Sequence, residues 1–170
     1  ITEILLAAGT DPTISVGGIL KSIQGNIRVG KSDLFVTEAC EYTNSFLSFY
    51  PRIGIILNIE EDHLDFFRDL DDIRSSFRRF AQLLPEDGLL IISGDISDYE
   101  EITRGLSCSV LTFGSDSSCD YYYDGISHDE FAHASFTLHR RGGSDIPVSL
   151  GVPGEHNILN ALAALALADY

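Results

Sequence analysis

Methionine and tryptophan are absent from this 170-residue sequence, and cysteine, proline and basic residues are scarce. The missing methionine predicts that the natural start lies outside the sequence, so it reads as part of a longer chain. Three cysteines, Cys40, Cys108 and Cys119, form an odd set without metal-ligand spacing. They predict free thiols and a reducing compartment, hence a cytoplasmic protein. No apolar run approaches the roughly 20 residues needed to span a bilayer, and no signal-peptide pattern opens the sequence. No membrane partner is therefore expected. Only 11 Lys and Arg stand against 26 Asp and Glu, a formal charge of −15. That balance disfavours nucleic acid or anionic membrane as partners by charge alone. A phosphate-bearing ligand would need local help from metal ions, helix N-termini or another domain.

What is present suits a folded domain: 44% hydrophobic and 22% charged residues rule out global disorder. Ile1 to Ala8 reads as a helix stopped by Gly9 and Asp11-Pro12. Asp33 to Cys40 and Arg52 to Ile59 read as buried strands, the second with the continuous apolar character of a parallel strand. Asp69 to Leu84 carries a helical period, with Leu70, Ile73, Phe77, Phe80, Ala81 and Leu84 on one face and Arg74, Arg78, Arg79 and Gln82 facing out. Strands at Leu89 to Ser93 and Ser109 to Gly114 flank a shorter helix near Asp98 to Gly105. This alternation predicts an α/β fold, a mostly parallel sheet with helical crossovers, over residues 1–114. Residues 115–153 alternate in polarity and predict a small antiparallel β meander. Residues 154–170 predict a closing helix.

Ligands of open parallel sheets gather beyond the carboxyl ends of the strands. Two such ends are conspicuous here. Glu38 lies late in the first predicted strand, where an acid among apolar residues costs free energy unless paired or metal-bound. The second strand ends at Asn58 and runs into Glu60, Glu61, Asp62, His63 and Asp65. If these strands are neighbours, Glu38, Asn58 and His63 meet at one rim and could share an ion. Carboxylates suit Mg²⁺, whereas imidazole suits transition metals better. Read as residues alone, the acidic turn is equally a solvated loop that caps the next helix. Asn157 and Asn160 share a face of the last helix, beside His156; they could hydrogen-bond an adenine edge or simply cap a core helix. Cys40 is crowded by Glu38 and Glu41, a poor setting for a nucleophile. His128, His133 and His139 lie in the meander without evident ligand partners and read as surface residues.

Taken together, "EACEYTNSF" from Glu38, "NIEEDHLD" from Asn58 and "GVPGEHNILNALAA" from Gly151 resemble the central ATP-binding domain of the Mur ligases of peptidoglycan synthesis. The resemblance spans nearly the whole chain. Within that family the E-A-x-E-Y and N-I-E-x-D-H forms are most similar to the member that joins L-alanine to UDP-N-acetylmuramate. Phe77 stands where later ligases of the pathway carry a carbamoylated lysine. The family's glycine-rich phosphate loop is missing from the sequence, so the chain alone is expected to be inactive. The resemblance implies an acyl-phosphate mechanism using ATP and Mg²⁺. It further implies that Glu38 and His63 are catalytic metal ligands, and that His156, Asn157 and Asn160 lie at the nucleotide. Asn58 and Glu41 would position the substrate. A tripeptide-recycling ligase, a metal-dependent hydrolase using Glu38 and Asp62 beside His63, and a non-catalytic relative remain alternatives.

Overall fold

The computed structural model describes residues 1–170. Its main sheet has six strands in the order β4-β5-β6-β7-β8-β9: Ile53–Ile56, Leu89–Ser93, Ser109–Phe113, Tyr121–His128, His133–Arg140 and Ile146–Pro153. β4 to β7 run parallel, and β7, β8 and β9 pair antiparallel. The meander is thus no appendix. It continues the parallel sheet through the contact of Phe113 with Tyr121.

β5 explains why this sequence folds as layers. All five of its residues are buried, and successive side chains of a strand leave by opposite faces. Leu89 and Ile91 pack with Ile158, Leu162, Ala163 and Ala166 of the last helix, α4 (His156–Asp169). Leu90 and Ile92 pack with Phe80, Ala81 and Leu84 at the end of α2 (Leu70–Ala81). Each such buried aliphatic side chain stabilises the fold by about 1.5–3 kcal/mol. α2 begins where its chemistry dictates: the Asp69 carboxylate accepts from the Asp72 N–H at 2.9 Å, capping the helix. Arg78 does not simply face out. Its guanidinium donates to the carbonyls of Glu101 and Arg104, tying α2 to α3 (Tyr99–Thr103).

One expectation fails. The predicted buried strand over 33–40 is only β3, Phe35–Thr37, and Phe35 is 58% exposed. It lies outside the main sheet, in a three-stranded one of order β2-β1-β3 with β1 (Thr13–Leu20) and β2 (Gly25–Arg28). β1 and β2 escaped the sequence reading because Ile19, Ile27 and Val29 point into solvent. Their apolar residues do not mark a buried face. The opening helix, α1, spans Thr2–Ala7 as expected and packs beside α4.

Candidate functional site

Because β3 and β4 belong to different sheets, the strand ends carrying Glu38 and Asn58 are not neighbours in a ladder. Nor is Glu38 buried: it is exposed, one residue beyond β3. Its carboxylate accepts from the Gly17 N–H at 2.7 Å. The approach is close: a Cβ at Gly17 would stand 3.1 Å from Glu38 Oε2, so the carboxylate would have to give by a few tenths of an ångström. The structure instead brings Glu41 to His63.

The Glu41 side comes from a 3₁₀ segment, Tyr42–Ser48, directly after Glu41. Phe46 anchors it, buried between the rings of Phe80 (5.0 Å, stacked) and Phe77 (5.3 Å, edge-on). Phe77 is therefore an apolar brace. Thr43 and Asn44 adopt left-handed backbone angles, φ 55° and 59°. Asn44 Oδ1 accepts a hydrogen bond from the buried Ser76 hydroxyl on α2. The segment is held from below and from behind.

The other side is the turn after β4. His63 also sits at positive φ, 54°, a conformation non-glycine residues hold only when surroundings over-determine it. Its backbone N–H donates to Asp62 Oδ1 at 2.7 Å. His63 Nε2 lies 3.5 Å from Glu41 Oε1, and Nδ1 lies 3.7 Å from Asp62 Oδ1. One donor atom from each of Glu41, Asp62 and His63 falls within 4.8 Å of the others. A divalent cation fits this set: carboxylate oxygens suit Mg²⁺ or Mn²⁺ with water completing the shell, and the imidazole is better suited to transition-metal ions. Asn58 is exposed, its amide donating to Glu60 Oε1 at 3.2 Å.

Tyr42 belongs to this constellation and had no role in the sequence reading. Its ring stacks on His63, with centroids 4.5 Å apart and planes at 29°. Its hydroxyl donates to Asp65 Oδ2 at 2.7 Å, and that bond holds the phenol pKa above its usual value. The only signal in sequence was its place beside Glu41.

At the start of α4 the Asn157 amide donates to the Pro153 carbonyl at 2.8 Å, and the Asn160 amide to Asn157 Oδ1 at 3.3 Å. Asn157 thus closes the turn at Gly154, whose φ of 103° suits glycine alone. His156 and Asn160 remain exposed. No contact that joins Glu41, Tyr42, Asp62 and His63 reaches this group.

In the meander His139 is not unpartnered. Its Nδ1 is hydrogen-bonded to Asp145 Oδ1 at 2.9 Å, and Nε2 makes an off-line ion contact with Asp124 Oδ1 at 3.0 Å. His133 likewise contacts Asp129 at 3.0 Å. The three cysteines are free thiols, Cys40 exposed and the others buried. No helix is long and apolar enough to cross a membrane.

Known proteins share this fold. The Mur ligase middle domain family model matches residues 15–168. The chain is 59% identical to the UDP-N-acetylmuramate–L-alanine ligase of Agathobacter rectalis, over 99% of this chain and 37% of that protein. It is 56% identical to the same-named protein of Lachnospira eligens, over 98% and 36%. Among solved structures, the UDP-N-acetylmuramate–alanine ligase of Thermotoga maritima superposes with a TM-score of 0.81 at 30% identity, covering 99% of this chain and 37% of that one. The UDP-N-acetylmuramate:L-alanyl-γ-D-glutamyl-meso-diaminopimelate ligase of Neisseria meningitides gives 0.83 at 26% identity, covering 98% and 55%. The chain spans little more than a third of its curated relatives' length, and it belongs to the Mur ligase family, whose middle domain it carries.

Proposed function

We propose that this chain is the nucleotide-handling part of an ATP-dependent ligase that joins L-alanine to the lactyl carboxylate of UDP-N-acetylmuramate. The observation that carries the chemistry is the meeting of Glu41, Asp62 and His63 beyond the carboxyl end of β4. The names of the most similar relatives support the specificity. The recycling ligase is the second reading, since its structure superposes as well, at 26% identity against 30% for the alanine-adding ligase of Thermotoga maritima.

The physical problem of the reaction is to bring a carboxylate to the γ-phosphate of ATP when both are anionic, in a chain of net charge −15. A divalent cation bound here would supply the charge neutralisation. Glu41, Asp62 and His63 would hold it. Glu38 stays in the set: its one bond to Gly17 is exposed, worth about 0.5–1.5 kcal/mol, and coordination can replace it. Asn58 and Glu41 would orient the substrate carboxylate. His156 and Asn160 would take the adenine or ribose edge, on a turn that Asn157 holds closed. The substrate carboxylate would attack the γ-phosphorus and displace ADP, and the amine of L-alanine would then attack the acyl carbon, releasing phosphate and a proton. ATP is a cytoplasmic reactant, so the compartment expected from the free thiols belongs to the proposal.

A chimera tests it. This chain replaces the matching segment of the Agathobacter rectalis ligase, and phosphate release is measured. We expect turnover that requires ATP, UDP-N-acetylmuramate, L-alanine and Mg²⁺ together. His63→Ala and Glu38→Gln should each lower kcat by about 10²-fold or more, the scale of losing one charge-stabilising group. A folded chimera that is inactive, or that hydrolyses esters without ATP, overturns the reading.

A further inference from the structure

A histidine that binds a metal ion is ordinarily oriented by a hydrogen bond from its second ring nitrogen to a carboxylate or carbonyl. His63 has no such bond. Both carboxylate contacts to its ring, at 3.5 and 3.7 Å, are too long to fix the ring plane. The imidazole stands on a turn without regular structure, between β4 and α2. What does meet it is the face of Tyr42.

We propose that Tyr42 is a positioning residue for the cation site, setting the plane of His63 through its ring while leaving both ring nitrogens open to an ion. The role rests on the reading of His63 as a cation ligand given above. Tyr42 is itself held at three points. Its hydroxyl bonds Asp65, beyond His63 in the same turn. The ring of Phe66 meets it edge-on at 6.1 Å. Its backbone opens the segment that Phe46 anchors in the core. The phenol therefore joins the connection bearing Glu41 to the turn bearing Asp62 and His63. A stack is suited to this task, because it restrains rotation and occupies no donor atom. Hydrogen bonding at the ligating nitrogen would consume the ligand position.

The test uses the 170-residue chain with Mn²⁺ alone as probe, read by NMR of the His63 ring protons. In the parent chain these protons should be shifted upfield by the Tyr42 ring current and broadened by Mn²⁺. Tyr42→Phe keeps the ring and should keep both signatures, with Mn²⁺ affinity within about threefold. Tyr42→Leu should lose the ring-current shift and weaken Mn²⁺ by about tenfold, a modest coupling of about 1.4 kcal/mol. Unchanged Mn²⁺ affinity in folded Tyr42→Leu overturns the role of Tyr42. Where that variant does not fold, Tyr42→Phe decides: loss of the shift, or affinity weakened as far as about tenfold, overturns it. His63→Gln separates the two readings. If His63→Gln leaves Mn²⁺ affinity intact, the cation reading itself falls. If it abolishes binding while Tyr42→Leu does not, only the positioning role falls.

Discussion

At the scale of single residues, His139 shows what sequence cannot supply. Its two carboxylates come from β7 and from the connection between β8 and β9, and only the pairing of three strands brings them to one imidazole. Asp124 and then Asp145 hold its pKa above the ordinary 6.5, against some loss of hydration. The ring also stacks on Tyr122 at 4.7 Å. A raised folded-state pKa sets the sign. The contribution is fully present below the unfolded value and is lost as pH rises through the folded one. His139→Gln should therefore lower the melting temperature more at about pH 6 than at about pH 9. Thermal unfolding of the two proteins at both values checks this, and a gap that widens with pH refutes it. Asp169 runs the other way: the Tyr121 hydroxyl and Arg140 hold its carboxyl below the usual range. Its share of stability is lost on acidification. Tyr121, buried against α4, is pushed up to about 12 in return. Glu38 marks the same limit on sequence reading. An acid after Phe35-Val36-Thr37 looked buried, but exposure is set by which sheet the strand joins. That depended on β1, far upstream.

Elements were legible where burial imposes a period. β5 was bounded correctly because both its faces are covered; α2 was legible from its Asp69 cap and from apolar residues at every third or fourth position, but it ends at Ala81, three residues before the expected Leu84. The segment Tyr42–Ser48 was not legible. Its two left-handed residues and single buried ring follow no period, yet it carries Tyr42 and directly follows Glu41. Phe46 holds this element to the core through Phe77 and Phe80, at 2% exposure. Truncating a buried phenylalanine costs about 3–5 kcal/mol, a large part of the ~5–15 kcal/mol that stabilises a domain. Phe46→Ala should lower the free energy of unfolding by about that amount in urea titration. It should also speed amide exchange through Tyr42–Ser48 before any change in β5. Loss of stability without local loosening would mean that the segment does not depend on its anchor.

For the whole molecule, charge and topology act together on nucleotide binding. Twenty-six acidic side chains against eleven basic ones repel a polyphosphate that comes within the screening length, about 8 Å in physiological salt. Divalent ions and oriented backbone N–H groups are the two remedies, and only the first is present: the cluster at His63 can hold a cation, whereas no glycine-rich loop occurs in the sequence. Such a loop offers a row of N–H groups and a lysine to the β- and γ-phosphates. The exposed side chains of His156 and Asn160 can contribute only a few neutral hydrogen bonds, each worth about 0.5–1.5 kcal/mol net. Micromolar affinity needs about 8 kcal/mol, more than those bonds supply. Isothermal titration of this chain with MgATP should therefore give no saturable heat below roughly millimolar nucleotide, about 4 kcal/mol of binding. Mn²⁺ alone should still bind and be lost in His63→Gln. Micromolar MgATP binding would show that the strand-end rim grips phosphate without a loop, and the division of labour between cation and backbone would have to be redrawn.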